Sequence, residues 1–269
     1  MALSKPVAWK LFLLCFALFN SAANAIDQDK HIIAAAELSG LFSADTIPNL
    51  PQPHGAYFQL LNQILQQSHL SARYRIVIMP MLRAKQMFQQ QQAACFAPGL
   101  DNFTAAEQAI LPADVISSEP FNSALVRVLS SNRQRLIHKP NDITKQDRIS
   151  VVRGVPISAD MTLMMQYAGT SFSVPSELEN LKLLQSGRVD FVMAFYPDVL
   201  FAYRELGIAQ HYPYAPDYTP LRIIDNLLCH ASHAAAIQLI NRKLLEFAKN
   251  GTLARILGDY YLTEADANN

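Results

Sequence analysis

Short apolar segments of strand character alternate with amphipathic helical segments along this chain, and the alternation runs twice in series. Residues 31–36 (His-Ile-Ile-Ala-Ala-Ala) read as a buried strand. Residues 55–67 follow, with Phe58, Leu61, Ile64 and Leu65 at helical spacing on one face. A strand over 73–79, a helix over 81–91 opened by Pro80, and a strand over 93–97 complete the first unit. A strand over 122–129 opens the second unit, and 130–147 read as a polar, basic surface connection. Strands over 148–152, 172–174 and 189–195 then alternate with helices over 159–167 and 176–186. Ser158 is the expected N-cap of the first of these helices. Parallel strands need a crossover helix between them, so this order predicts an α/β fold.

The chain ends on a strand predicted over 221–228 and a helix over 235–249, which carries Ile240, Leu244 and Phe247 and is closed by Gly251. These belong to neither repeat, so the chain is expected to cross between two lobes twice. Lobe 1 would comprise 26–123 with 222–269, and lobe 2 would comprise 124–221. No Ser/Gly-rich linker separates them. A cleft between the lobes is the expected consequence.

Residues 1–25 set the compartment. Lys5 and Lys10 precede an apolar run over 11–19, and small and polar residues then end in Ala23-Asn24-Ala25. That order predicts a cleaved secretory signal peptide and a periplasmic protein. The run is too short to span a bilayer, which takes about 20 apolar residues. Removing it takes away two Lys and no acid, leaving 20 basic against 22 acidic residues. A balance so near neutral gives no electrostatic footprint for nucleic acid. Cys95 and Cys229 remain. An oxidising compartment and an even count allow a disulfide between them, with two buried free thiols as the alternative.

Four motifs carry a family resemblance. Gly55-Ala56-Tyr57-Phe58-Gln59-Leu60-Leu61 is similar to a first helix, and Pro80-Met81-Leu82-Arg83-Ala84 to the start of a second. Val152-Arg153-Gly154 before a helix, then Leu184-Gln185-Ser186-Gly187-Arg188-Val189-Asp190, is similar to a second-lobe core. Ile240-Asn241-Arg242-Lys243-Leu244-Leu245 with Asn250-Gly251-Thr252 is similar to a closing helix. In this order they resemble the extracellular solute-binding proteins of family 3, the periplasmic receptors of polar amino-acid uptake. The resemblance implies a two-lobed periplasmic binding protein (a Venus flytrap) with two crossing hinge strands. It implies a monomer without cofactor that captures a small polar solute for the permease of an ABC-type importer in the inner membrane. The pattern departs at Thr104-Ala105-Ala106-Glu107-Gln108, where the family carries an Arg that grips the ligand's α-carboxylate.

Candidate ligand-binding residues are Glu37, just past the first strand, Arg83 on the second helix, and Gly99, which closes the third strand. Arg153 and Gly154 sit where a strand feeds a helix, whose free N–H groups favour anions. Tyr196 and Asp198 follow a strand end, where ligands gather in open α/β sheets. Arg83 has a plain alternative as a helix-surface cation. Cys229, His230 and His233 lack a second ligand pair, so no metal site is expected. Nor does the chain contain a G-x-S-x-G, Walker or dinucleotide-binding motif. An enzyme on the same fold, dehydratase-like, would rest on Glu37, Glu107 or Asp198 as acid or base. A third reading is a ligand-sensing module acting through a protein partner.

Overall fold

The computed structural model describes residues 30–44 and 53–262, so the expected signal segment lies outside the described residues. Two five-stranded sheets organise the molecule. In the first, β1 (His31–Ala36) runs parallel to β2 (Tyr74–Met79) on one side and β3 (Cys95–Ala97) on the other. Beyond β3 lie β10 (Leu228–His230), antiparallel to it, and β4 (Val115–Ser117). The second sheet repeats the plan. Its β6 (Arg148–Val152) lies parallel to both β7 (Thr170–Val174) and β8 (Phe191–Tyr196). Next come β5 (Asn122–Ser130), antiparallel to β8, and β9 (Arg222–Asp225) at the edge.

Both faces of each sheet are covered, and the side-chain period of two divides each central strand between two cores. In β1, Ile33 and Ala35 join the core under α1 (Ala56–Gln67), α7 (Ala234–Lys249) and α8 (Thr252–Leu257), whereas Ala34 and Ala36 face α2 (Met81–Gln89). In β8, Phe191, Met193 and Phe195 pack toward α4 (Ala159–Tyr167). Val192 and Ala194 pack toward α5 (Glu177–Gln185) and α6 (Val199–Glu205). Such two-sided burial explains why these strands read as continuous apolar runs. The expected cap is present, with Met161 N donating to Ser158 Oγ at 3.2 Å. Gly251 takes the left-handed conformation just past α7 (φ 75°), where a side chain would be strained.

Three expectations change. The single strand predicted over 221–228 is two, because β9 bonds to β5 in the second sheet and β10 to β3 and β4 in the first. Between them Asn226 N donates to Pro98 O (3.0 Å) and Leu227 N to Ser118 Oγ (2.9 Å), which hands the chain from one sheet to the other. The connection 130–147 is polar outside but buries Ile137 and Ile143 in the second core. Helix α6 and strand β4 were not predicted. The two crossing segments lie side by side: Ser118 N donates to Leu227 O (2.8 Å) and Phe121 N to Asp225 O (2.9 Å). Cys95 and Cys229 face each other in register across β3 and β10, and their sulfurs form a disulfide.

Candidate functional site

A cavity of about 480 Å³ lies between the two sheets and is walled by both. Its polar residues sit where parallel strands end, the position at which open α/β sheets present loops and helix starts to a ligand. Glu37 follows β1, where its N–H donates to Met79 O at 2.8 Å, and Pro98 follows β3. From the second sheet Arg153 follows β6, Glu177 opens α5 after β7, Tyr196 ends β8 and Asp198 follows it. Asp225, at the end of crossing strand β9, completes the wall. The remainder is largely apolar, with Leu38, Met81, Val152, Phe195 and Ile223 among the lining residues.

Three of these carboxyls are buried: Glu177, Asp198 and Asp225 are 1 %, 8 % and 2 % exposed. Glu177 is satisfied. Its Oε1 accepts from Phe195 N (2.8 Å) and its Oε2 from Asn180 Nδ2 (3.1 Å), yet burial outweighs both bonds and pushes its pKa up to about 7. Asp198 occupies the N-cap position of α6 without making a cap bond, and its Oδ1 is buried with no hydrogen-bond partner. Burial first, then the neighbouring carboxyls of Glu177 and Asp225, hold its pKa well above the usual carboxylate range. Asp225 Oδ2 accepts from the Tyr57 hydroxyl at 2.5 Å, and its Oδ1 has no partner. Its pKa rises to about 7 because burial, helped by Asp101, exceeds the opposing pull of Tyr57 and of the adjacent Asn102 amide. Tyr57 in turn accepts from Asn122 Nδ2 (2.7 Å), the residue paired with Asp225 across β5 and β9.

The basic groups stand apart from this floor. Arg153 lines the cavity but is exposed. Lys85, only 3 % exposed, spans the cleft from α2: its Nζ donates to Glu107 Oε2 (3.0 Å) and to Gly154 O (3.2 Å). Glu107 also closes a capping box with Thr104 at the start of α3 (Ala105–Gln108). Burial of Glu107 is outweighed by the Thr104 N–H and Lys85, which hold its pKa low and leave it an ion-pair partner rather than an acid or base.

The structure thus brings Glu37, Arg153, Tyr196 and Asp198 to one cavity and leaves three candidates off its wall. Arg83 is exposed, because the turn of α2 directs Met81 and Leu82 to the cavity and Arg83 to solvent. Gly99 packs on Asn226, where a Cβ would come within 2.2 Å of Oδ1, so its role is the close approach of the crossing segment. Gly154 offers only its carbonyl, to Lys85. Sequence reasoning missed Glu177 and Asp225. Among the described residues no group of three metal-ligating side chains occurs, and no helix is long and apolar enough to cross a membrane.

No protein-family model and no curated protein matches the chain. Solved structures do. A mutant of ArgBP from T. maritima superposes with a TM-score of 0.66 at 13% identity, over 87% of this chain and 96% of that one. The fold is that of the two-lobed periplasmic binding proteins. The amino acid ABC transporter substrate-binding protein AbpA from Streptococcus pneumoniae, bound to L-arginine, matches at 0.63 and 14% identity over 90% and 98% of the two chains. The ancestral amino acid-binding protein AncCDT-1, a precursor of cyclohexadienyl dehydratase, matches at 0.66 and 13% identity over 90% and 100%. In a two-lobed binding protein the cavity between the sheets is the place where both lobes can touch one solute.

Proposed function

We propose that the protein is a periplasmic solute-binding protein that captures a small polar solute between its lobes and presents it to the permease of an ABC-type importer. The observation that carries this reading is a cavity walled by both sheets, with buried polar atoms of Asp198, Asp225 and Tyr196 left without partners. Such atoms are costly unless a ligand or water satisfies them. The two lobes are proposed to hinge at 118–121 and 226–227, a few residues from the boundaries at 123/124 and 221/222. Contacts to both walls would favour the closed form by the solute's differential affinity for it. The protein works as a monomer without cofactor, and Glu37, Arg153, Tyr196 and Asp198 contact the solute.

Thermal unfolding against amines, amino acids, organic acids and short peptides tests the proposal. A binder at a hundredfold excess over its Kd stabilises by about 2.7 kcal/mol. A panel that leaves the unfolding temperature unmoved refutes a solute-binding role. A second reading, a dehydratase-like enzyme on this fold, draws on the carboxyls of Glu177 and Asp225, whose pKa values near 7 suit general acid–base work. It predicts that the stabilising compound is consumed, which mass spectrometry of the incubated ligand would detect.

A further inference from the structure

We infer that the solute held in the interlobe cavity is a small organic cation, an amine with an apolar body and no carboxylate of its own, whose N–H groups donate to the carboxylates of Asp198 and Asp225. The inference rests on the solute-binding reading and gives that site its ligand class. Two aspartates, each more than nine-tenths buried, line the cavity, and each keeps one carboxylate oxygen, Oδ1, without a hydrogen-bond partner. Both are acceptors, and ammonium hydrogens are the donors that match them best.

Charge along the wall points the same way. Among the described lining residues, Glu177, Asp198 and Asp225 are buried acids, whereas the guanidinium of Arg153 is exposed. Lys85, which is buried and reaches the Gly154 carbonyl beside Arg153, is already engaged by that carbonyl and by Glu107. An α-carboxylate or other anion set on the floor would face these acids with no buried cation among the described lining residues to offset them. Leu38, Met81, Val152, Phe195 and Ile223 suit a hydrocarbon body. Asn102, whose amide lies beside Asp225, and Tyr196 also line the cavity and supply neutral polar contacts.

A cation here has a thermodynamic signature. Asp198 is faced by Glu177 from α5 and Asp225 from β9, with Tyr196 on the strand before it. Asp225 is faced by Tyr57 from α1 and by Asp101 and Asn102 from the turn after β3. Every ionisable neighbour in these two sets is an acid or a phenol, so burial and these neighbours hold both carboxyl pKa values above the usual carboxylate range. A cation favours their ionised form, and binding must release protons.

The experiment is calorimetric titration of the purified protein with 2-phenylethylamine, L-phenylalanine and 2-phenylethanol, and with cadaverine and L-lysine, at pH 5.5, 6.5 and 7.5 in buffers of different ionisation enthalpy. At least one amine is expected to bind ten times or more tighter than its carboxylated or hydroxyl counterpart. Its affinity should rise up to about tenfold per pH unit for each proton released, and Asp198→Asn should weaken it at least tenfold. Tighter binding of an amino acid, or affinity for an amine that does not change with pH, overturns the cation assignment and leaves the solute-binding reading standing. If neither these compounds nor the wider thermal panel bind, both readings fall.

Discussion

Replacing Asp225 by Asn should alter how stability depends on pH, in a direction the structure fixes. The carboxyl is 2 % exposed and its pKa is raised to about 7 from an ordinary 3.8, chiefly by burial. An unfolded chain ionises this group near its ordinary value, whereas the folded protein holds the proton up to about 7. Between those values the folded state binds more protons, so stability is fully present below about pH 4 and is lost as pH rises through 7. A gap of about three pH units at about 1.4 kcal/mol each gives about 4 kcal/mol as an upper value, since water entry lowers it. For a chain of this size that is about 10 °C in unfolding temperature. Asn keeps an oxygen for the Tyr57 hydroxyl but cannot ionise. Calorimetric melts of both proteins from pH 4 to pH 8 should therefore coincide near pH 4 and diverge upward, with Asp225→Asn the more stable at pH 8. The buried acids common to both proteins largely cancel in the difference. Melting curves that stay parallel over the whole range would refute the claim that this carboxyl is buried without a compensating charge.

Tyr57→Phe removes the hydroxyl that joins Asp225 Oδ2 to Asn122 Nδ2 and should cost about 1–3 kcal/mol in urea unfolding, because both partners stay buried. Replacing Cys95 and Cys229 by Ala opens a loop of 134 residues and should cost about 2–5 kcal/mol. Titration of the unreduced protein should count no free thiol among these two, and two would exclude the bridge. Lys85→Met deletes the hydrogen bond from α2 to the Gly154 carbonyl across the cleft. The ligand-free protein should then show a larger radius of gyration in solution scattering, and an unchanged radius would mean that this contact does not hold the lobes together.

Much of the architecture was legible because parallel strands buried on both faces leave continuous apolar runs in the sequence. Residues 31–36 and 191–196 are such runs, and the structure splits each between two cores. The strand over 221–228 misled because Ile223, Ile224, Leu227 and Leu228 form one β-rich stretch. Its division at Asn226 and Leu227 is set by distant partners, Pro98 O and Ser118 Oγ, to which local composition is blind. Helix α6, seven residues long, is too brief to display a helical period. Within the site, Asp198 was found by its place after a strand. Glu177 looked like an ordinary acid in a first helical turn, and its burial comes from the return of β8 to bond it through Phe195 N. Asp225 did leave a signal, an acid inside the apolar run Ile223-Ile224-Asp225.

The placement of Asp225 joins the site to the hinge. It ends β9 opposite Asn122, which opens β5, so one register pair holds the two crossing strands at the floor of the cavity. Asn122 also donates to Tyr260 O (2.8 Å) and accepts from Leu262 N (2.9 Å), tying the pair to the segment after α8. A cation that ionises Asp225 strengthens what Tyr57 donates to it, since a bond to a charged group is worth about 1.5–3 kcal/mol against about 1 for a neutral one. That gain alone cannot drive closure: moving an equilibrium from 1:99 to 99:1 takes about 5.5 kcal/mol of differential affinity. The rest must come from contacts made only when both walls meet the ligand, and because Asp198 and Asp225 both hang on the second sheet these belong to the first-sheet wall, with Leu38 and Met81 among its residues. Closure is therefore a property of the first-sheet wall meeting a ligand already held by the two aspartates. A ligand reaching the aspartates alone would bind without closing the lobes.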